Sequence, residues 1–312
     1  MNLSSTPLLT RTFGFGKTHT TAAAALALGL LFTACAADLR ESPQKSADTP
    51  LREPAAVASL TAAVEAHGMT DLDARYATYE ATGTDDWRGL MGNMGELWPW
   101  KSDRMALRYT VGDFDGQVEA LEGEHAGETY GLQSFDFYAG KGAAADTDVP
   151  DDERVFFGLT AYHYFFEIGP RLLRAPVLPS YPSAEYEGRE FERVYASWGR
   201  DKSADYDQYV LWIDPATQLI AAVTYTVRDN YLPGAAPMYG TVEFDDVREV
   251  GGVQIPFVQT VTMFGPDGGF GTDDDGGYVH QLRLDGFRWD GFAPADIRPL
   301  PGLTPTGDAK PL

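Results

Sequence analysis

Alternating hydrophobic and polar positions are the dominant pattern in this chain, and a period of two is typical of half-buried strands. The alternation is clearest in TQLIAAVTYTVRD at 217–229. There we expect one face to carry Leu219, Ala221, Val223, Tyr225 and Val227. Nine segments are predicted to be strands: 74–84, 104–113, 127–138, 189–198, 206–214, 217–228, 240–250, 253–264 and 278–289.

A first helix is predicted at 55–67, because the hydrophobic residues there follow the helical period instead. Val57, Leu60 and Val64 recur three or four positions apart, which places them on one face. Gly68 is expected to end this helix, since glycine adopts the backbone conformation found at helix C-termini without strain.

A second helix is predicted at 151–173, DDERVFFGLTAYHYFFEIGPRLL. Its acidic start suits the positive end of a helix dipole. Its body is apolar on nearly every side, so we expect it to be buried or to cover an apolar surface. The Gly169-Pro170 pair is expected to break it, because proline disrupts the interior of a helix.

Short links between the strands predict antiparallel pairing. Pro215-Ala216 and Gly251-Gly252 are typical of tight hairpin turns. Pro256 cannot donate a backbone hydrogen bond, which predicts an edge strand or a bulge at that position. The predicted fold class is mainly β (α+β): a strongly curved antiparallel sheet, an incomplete barrel, with the helix of 151–173 on its concave face.

The stretch LLFTAC at 30–35 ends a short apolar run and contains the only cysteine of the chain. The first twenty residues are basic, and the apolar run at 21–32 is too short to span a bilayer, so the pattern predicts a secretory signal. Phe32-Thr33-Ala34-Cys35 resembles the lipobox of bacterial lipoproteins, although leucine is usual where Phe32 stands. We therefore expect a lipoprotein signal at 1–34 and lipid attachment at Cys35. The alternative is an ordinary signal peptide with an incidental cysteine.

The rest of the chain divides into three predicted parts. Residues 35–54 are polar and proline-rich and are expected to form a flexible tether, 55–299 form the folded unit, and 300–312 form a loose tail. Ala36 follows the predicted lipid site. In Gram-negative lipoproteins an aspartate there favours inner-membrane retention, so the resemblance implies the outer membrane, with the protein facing the periplasm.

The chain is strongly acidic, with 24 Lys and Arg against 46 Asp and Glu. Such a charge repels phosphate backbones and anionic headgroups. Nucleic acid is therefore not an expected partner, and contact with a bilayer is expected through the lipid anchor alone. Protein partners are not predicted by any motif.

YVLWIDPATQLIAAVTYTVRD and VEFDDVREVGGVQIPFVQTV resemble the LolA/LolB-like superfamily of bacterial envelope proteins. The resemblance implies an incomplete antiparallel barrel with helices over its open side; in carrier members its cavity shields acyl chains. The insertions at 87–101 and 265–277 have no counterpart, and no residue matches the gating arginine of the carriers. The residues that carry the resemblance are Trp212, Ile213, Asp214, Thr217, Asp245, Asp246, Val250, Gly252 and Pro256.

The resemblance and the aromatic composition together predict a lipid or other apolar ligand in the concavity. We expect the glycine- and methionine-rich insertion at 87–100 to suit a cavity mouth or a partner site. The opposing interpretation is that the aromatic side chains are ordinary core and that the barrel is solidly packed. The candidate cavity-lining residues are Phe156, Tyr162, Phe165, Phe166, Trp198 and Trp212.

No motif of an enzyme, a cofactor site or a metal site is recognisable. The histidines lack metal-ligand spacing, and His163 is instead placed to pair with Glu167 one helical turn later. The acidic loop at 265–278 lacks the calcium-binding spacing of an EF-hand, and GDFDG at 112–116 is typical of a turn. The leading hypothesis is an anchored, non-enzymatic envelope lipoprotein that binds an apolar ligand. The alternative is an envelope interaction or scaffold lipoprotein.

Overall fold

The computed structural model describes residues 36–41, 51–141, 144–146, 149, 151–186, 188–201, 206–228, 231, 237–263 and 277–305. Cys35, the signal at 1–34 and nearly all of the acidic loop lie outside these ranges, so the predictions made for them stay predictions. The helices are α1 (Pro54–Ala66), α2 (Leu72–Arg75), α3 (Gly89–Gly95), α4 (Glu153–Phe166), α5 (Ile168–Leu173) and a 3-10 helix (Pro294–Ile297).

Thirteen strands within the described ranges form one antiparallel sheet. The first six are β1 (Thr78–Trp87), β2 (Met105–Thr110), β3 (Gly116–Ala120), β4 (Glu128–Gln133), β5 (Asp136–Lys141) and β6 (Ala144–Asp146). The others are β7 (Ser180–Tyr186), β8 (Arg189–Ser197), β9 (Gln208–Ile213), β10 (Ile220–Thr226), β11 (Tyr239–Val250), β12 (Val253–Met263) and β13 (His280–Trp289).

The sheet consists of two meanders, β1–β6 and β7–β13, which are joined where β1 pairs with β13. The strand order is β6-β5-β4-β3-β2-β1-β13-β12-β11-β10-β9-β8-β7, so the ladder is open at β6 and β7. The chain passes from the first meander to the second through α4 and α5. Sequence neighbours are therefore nearly always spatial neighbours, as the short predicted links require.

The contacts of α4 require the sheet to be strongly curved. Thirteen strands about 4.8 Å apart would form a flat sheet roughly 55–60 Å wide, whereas a helix with its side chains is only about 10–12 Å across. Yet rings of α4 contact Tyr79 on β1, Tyr209 on β9 and Tyr225 on β10. The sheet must therefore wrap around α4, which confirms the predicted half-barrel with a helix on its concave face.

The predicted strand at 127–138 is wrong as a single element, because it is the hairpin β4–β5. The chain turns at Ser134 and Phe135, whose φ angles of 53° and 68° are both left-handed. Neither residue is a usual choice for such a turn. A tertiary contact stabilises the turn, since Asp115 accepts a hydrogen bond from the Ser134 backbone N–H at 2.6 Å. Strands β3, β6 and β7 also went unpredicted, because they are short or polar.

The break in the second predicted helix also differs from the expectation. Helix α4 ends at Phe166, and Glu167 (φ −117°, ψ 23°) separates it from α5. Pro170 lies in the first turn of α5, where the missing N–H removes no intrahelical hydrogen bond. The interruption therefore occurs at a buried carboxylate three residues before the proline.

The turn chemistry was predicted correctly at one link and partly at another. Gly251 and Gly252 form the β11–β12 turn with φ angles of 62° and 77°. The β9–β10 link is longer than Pro215-Ala216, because it closes where the Asp214 N–H donates to the Leu219 carbonyl at 2.9 Å. The side chains of Asp214 and Thr217 do bond the turn backbone, at Ala216 and Leu219 respectively.

A bulge shifts the predicted faces of β10. Ile213 pairs with Ile220, but Trp212 pairs with Ala222, so Ala221 is the extra residue. Ile220 consequently joins the buried core, and the predicted alternation is correct only from Val223 onward. A bulge of this kind moves the side chains before it to the opposite face of the sheet from the one that simple alternation predicts.

Pro256 occupies a locally unpaired edge inside a central strand. Within the described sheet, β12 pairs with β13 only over Val258–Val261. On its other side Pro256 is opposite Val247 of β11. Because β13 does not pair with β12 at Pro256, the missing N–H removes no hydrogen bond between these two strands. This is the position that the sequence predicted for a proline in a strand.

The chain after the 3-10 helix packs along the β4–β5 turn. Leu300 exchanges two hydrogen bonds with the Gln133 side chain, at 2.7 and 2.9 Å. The Thr304 carbonyl accepts a hydrogen bond from Ser134 Oγ at 2.7 Å. The first residues of the predicted tail are thus held against the sheet.

The approach of α1 to the β11–β12 turn yields a first prediction. Gly68 has a φ of +68°, and a Cβ there would lie 2.0 Å from the Gly252 carbonyl oxygen. Gly188 has a φ of +73° with open space around it. Both alanine substitutions cost about 1–2 kcal/mol of backbone strain, and Gly68→Ala should cost roughly 1–3 kcal/mol more through overpacking. Urea unfolding of both variants measures the difference; equal losses would contradict the close approach.

Candidate functional site

Helix α4 begins at an acidic cap and buries most of its circumference. The Asp152 carboxylate accepts hydrogen bonds from the backbone N–H groups of Arg154 and Val155, at 3.0 and 3.3 Å. This is the role that the acidic start of the segment predicted. The buried residues of α4 are Val155, Gly158, Leu159, Tyr162, His163, Phe165 and Phe166.

The space between α4 and the sheet is filled by aromatic side chains. The Phe166 ring packs edge-on against Tyr79, with centroids 5.7 Å apart. Phe165 packs in the same way against Tyr225 at 5.3 Å. Tyr162 stacks on Trp98 at 6.0 Å. The structure thus brings three of the predicted cavity residues together, as packed neighbours beneath the helix.

A continuous row of rings includes two from the less buried side of α4, and we call it the aromatic row. Centroids of successive rings are 5.0–6.3 Å apart along its length. Apart from Phe114, which is buried, its members are half-buried. Two of them, Phe156 and Trp198, were predicted from sequence. The row consists of Phe156, Phe135, Phe114, Tyr164 and Trp198.

Trp212 lies on the opposite, convex face of the sheet and is not brought together with the other predicted residues. Its neighbours Leu211 and Ile213 belong to the core around α4, and successive residues of a strand point to opposite faces. The Trp212 indole instead donates to Thr224 Oγ1 at 3.1 Å and packs edge-on against Phe191.

Two buried polar clusters hold α4 in place. The first is at its C-terminal end, where Glu167 pairs with His163 at 3.1 Å and with Arg171 at 2.9 Å. All three side chains are 3% exposed or less. The predicted pairing of His163 with Glu167 is therefore confirmed, and Arg171 extends it by one further turn.

The Glu167 cluster bonds the loop between β2 and β3. His163 Nε2 donates to the Thr110 carbonyl at 2.9 Å, and the Gly112 N–H donates to Glu167 at 3.2 Å. The Arg171 guanidinium donates to the Asp113 carbonyl at 3.0 Å and lies over the Phe114 ring. GDFDG is thus a turn, as predicted, and its backbone groups form hydrogen bonds with side chains at and just after the end of α4.

The electrostatics of the cluster favour a charged Glu167 and a neutral His163. Burial by itself would raise the pKa of Glu167, but the charge of Arg171 and the His163 ring hold that pKa below its ordinary value. Burial, reinforced by Arg171, lowers the pKa of His163. The resulting Glu–Arg pair neutralises itself inside the core, which a buried charge requires.

The second cluster is centred on Asp85 of β1, which is fully buried. Its Oδ2 accepts hydrogen bonds from Trp87 and Trp98 at 2.9 Å each and from Tyr162 at 2.7 Å. Its Oδ1 lies 3.0 Å from His280 Nδ1. One carboxylate thereby joins β1, β13, α4 and both ends of the 87–98 segment.

Asp85 remains ionised and its neighbours enclose it. Burial by itself would raise the pKa of Asp85, but His280 first, and then hydrogen bonds from Tyr162 and Trp98, hold that pKa below its usual value. Trp87 stacks on the His280 ring with centroids 4.1 Å apart. A carboxylate can orient an imidazole for proton transfer, but here both carboxylate oxygens are occupied and the ring is covered. The Asp85 contacts thus hold β1, β13 and α4 together.

Sequence reasoning missed the Asp85 cluster entirely. Asp85 is separated from His280 by 195 positions in sequence, and only the β1–β13 pairing brings them together. A usable signal was the alternation of β1, which puts an aspartate on the same face as its buried Ala81 and Tyr79. A carboxylate at a core-facing position needs several donors.

A shallow cleft of about 480 Å³ lies near the start of α4 and is lined by Asp151, Asp152, Glu153, Arg154 and Tyr231. Among the residues that the structure describes, no helix is long and apolar enough to cross a bilayer. Within the same ranges, no three His, Cys, Asp or Glu side chains are grouped so as to hold a metal ion.

No family model matches this sequence, and no curated protein matches it in a sequence comparison. Solved structures with a similar backbone do exist. One is an outer membrane lipoprotein-sorting protein domain from Vibrio parahaemolyticus, 14% identical, with a TM-score of 0.47 over 78% of this chain and 97% of that one.

Two further structures give similar values. A LolA superfamily protein from Nitrosomonas europaea is 10% identical, with a TM-score of 0.46 over 78% of this chain and 96% of its own. A DUF1329 family protein from Desulfovibrio piger is 11% identical, with a TM-score of 0.45 over 79% of this chain and 97% of its own. The superfamily named for the second structure is the one that the sequence resembles. The half-barrel fold of this chain follows from its own strand order and from the contacts of α4.

A prediction concerns Asp85. Asp85→Asn leaves one neutral oxygen to serve four donors, and we expect a loss of about 2–4 kcal/mol in the free energy of unfolding. The adjacent Asp86→Asn is the control, because Asp86 is half-buried and has only two side-chain partners, Arg88 and Tyr278, so it should change stability less. Near-ultraviolet circular dichroism should also change in Asp85→Asn alone, since Trp87 and Trp98 lose their acceptor.

The pH dependence of stability provides a second readout of the same variant. The folded pKa of Asp85 is below its unfolded value of about 4. Its contribution is therefore complete above about pH 4 and is lost as the pH falls through the folded pKa. Asp85→Asn should flatten this acid limb; an unchanged acid limb would show that the buried carboxylate is not ionised.

Proposed function

We propose that the protein is a lipid-anchored envelope lipoprotein that binds a lipid chain or another apolar ligand along the aromatic row. The observation that carries this proposal is the row itself. Apart from the buried Phe114 its rings are half-buried, and they are continuous with Phe156 and Tyr164 on the less buried side of α4. Flat aromatic surface of this extent is a favourable contact for an acyl chain.

The position of the ligand differs from burial beneath the helix. Phe165 and Phe166 occupy the space between α4 and the sheet, with 5% and 3% of their surfaces exposed. An acyl chain laid there would have to displace packed rings. A chain laid on the row meets no such cost and covers apolar surface that water otherwise contacts.

A scaffold function is the second candidate, and the packing beneath α4 favours it. The core around the helix is continuous across both meanders. A solidly packed half-barrel of this kind can present its acidic surface or its loops to a protein partner. The two candidates differ in whether the aromatic row is occupied in the cell.

The ligand prediction is tested with the Cys35→Ser protein, exported without its anchor and studied by native mass spectrometry and organic extraction. We expect a lipid or other apolar molecule to copurify in stoichiometric amount. A clean apo mass, with no uptake of added lipid, would refute ligand binding and leave the scaffold function.

A pair of tryptophans provides matched variants for this test. Trp198→Ala removes the end of the aromatic row, whereas Trp212→Ala removes a half-buried tryptophan from the convex face. Losing one ring contact of about 1–2 kcal/mol should weaken ligand retention roughly tenfold in Trp198→Ala. Trp212→Ala should retain the ligand as the parent does. Equal losses in both variants would indicate general destabilisation instead of a site on the row.

Membrane anchoring is tested separately. The intact mass of the protein extracted from bacterial membranes should exceed that of residues 35–312 by the mass of a diacylglyceryl group and any N-acyl chain. Cys35→Ser, exported with a conventional cleavable signal in place of residues 1–34, should move the protein to the soluble envelope fraction, because two or three acyl chains give stable membrane binding and none remain. Persistence of Cys35→Ser in the membrane fraction would refute the anchor.

A further inference from the structure

Residues 36–41, directly after the predicted lipid site, are fastened to the convex face of the sheet. The Leu39 N–H donates to Gln208 Oε1 at 2.7 Å, and its carbonyl accepts from the Tyr181 hydroxyl at 2.8 Å. The Ala37 carbonyl accepts from the Arg228 guanidinium at 2.5 Å. The Leu39 side chain packs on a small apolar cluster of Val177, Tyr181, Tyr195 and Val210.

Charged side chains reinforce the docking of this segment. Glu41 pairs with Arg193 at 2.9 Å, and Arg40 pairs with Asp38 at 2.8 Å while donating to the Arg200 carbonyl. Burial by itself would raise the pKa of Asp38, but the Arg40 side chain lowers it to about 2. A segment with this many partners is part of the fold, and the predicted tether is therefore not flexible at its beginning.

The docked segment also determines which end of the sheet the lipid site approaches. Ala37 contacts Arg228, which follows the last residue of β10. Cys35 precedes Ala37 by two residues, so their Cα atoms lie within about 7 Å of each other. The described residues Ala37 and Leu39 thus lie at the end of the half-barrel where β9 begins and β10 ends.

Helix α3 is at this same end. Tyr231 lies three residues after Arg228, a span of at most about 11 Å. The Tyr231 hydroxyl donates to the carbonyl of Gly95, the last residue of α3. Trp87, just before α3, pairs with His280 at the start of β13, which lies at that end as well.

The surface of α3 is suited to contact with a bilayer. The helix, GLMGNMG, carries no charged residue, in a chain whose net charge is −22. Met94 has 53% of its surface exposed, more than the other exposed large hydrophobic residues in the described ranges. Both flanks of the helix are held by hydrogen bonds from Trp87 and Trp98 to Asp85. The helix is uncharged between its flanking residues Arg88 and Glu96, and an exposed methionine on a helix held in this way beside a lipid anchor favours the membrane as its partner.

We propose that residues 36–41 act as a rigid spacer that holds this end of the half-barrel against the bilayer carrying the anchor, with Met94 of α3 at the contact. This rests on lipid attachment at Cys35 under the proposed function. Trp198 follows β8 at the same end, where Ser197 pairs with Gln208. The Trp198 end of the aromatic row is therefore directed toward the membrane, and an acyl chain has a short route between the row and the bilayer.

The experiment uses the full chain, expressed in bacteria so that Cys35 is processed, with one new cysteine at Met94→Cys or Glu249→Cys. Lipidation consumes the thiol of the only native cysteine, so a fluorophore labels the new position alone. Glu249 is exposed and lies beside the β11–β12 turn, at the opposite end of the strands. In phosphatidylcholine vesicles containing a quencher-labelled lipid, the Met94 probe should lose most of its emission and the Glu249 probe very little.

Two insertions separate the role of the spacer from that of the anchor. A flexible (Gly-Ser)₅ linker after Ala36 leaves the contacts of Leu39, Arg40 and Glu41 intact but frees the anchor by roughly 17–19 Å. With this insertion, the quencher should reduce the emission of the Met94 probe and of the Glu249 probe by nearly the same fraction. The same linker after Gln44, beyond the docked segment, should leave the difference between the probes unchanged.

The outcomes distinguish this proposal from the proposed function. If intact mass shows that Cys35 is lipidated but the two probes are quenched equally, the orientation is wrong and the anchor stands. If the linker after Gln44 equalises the probes as well, the docked segment does not act as the spacer. If Cys35 carries no lipid, the anchor and the orientation that rests on it are both refuted.

Discussion

One constraint shapes this molecule: a helix that is apolar around most of its circumference has to be covered by a single sheet. Helix α4 cannot be buried against two or three flat strands, because only one side of it would be covered. The thirteen-stranded sheet covers the helix because it is curved, so that rings from β1, β9 and β10 all contact α4. The half-barrel is thus the shape that removes the apolar surface of α4 from water.

Polar groups decide how the helix sits inside that curve. Glu167 bonds the loop after β2 at the C-terminal end of α4, and Asp85 receives the Tyr162 hydroxyl from its body. Each carboxylate is buried with several donors, so a rotation or slide of the helix would leave charged groups without partners. These two carboxylates determine which side of α4 is buried, and they leave Phe156 and Tyr164 of the aromatic row on its half-buried side.

The candidate site was predictable to the extent that it belongs to one helix. Tyr162, Phe165 and Phe166 follow from the apolar pattern of α4, and the pairing of His163 with Glu167 follows from helical spacing. Phe135 joins the row only because a hairpin turn brings it beside Phe156. Trp212 lies on the convex face because it alternates along β9 with Leu211 and Ile213, which belong to the core.

Local signals were enough to identify the period of α4, the alternation of the longer strands, the Gly251-Gly252 turn and the apolar run before Cys35. Tertiary structure alone decided the turn at Ser134-Phe135, where Asp115 compensates for residues that do not favour left-handed φ angles. It likewise decided the docking of 36–41, whose partners lie about 140–190 positions away. Local backbone preferences are encoded in neighbouring residues, whereas a buried hydrogen bond between distant segments exists only after the sheet has closed around its helix.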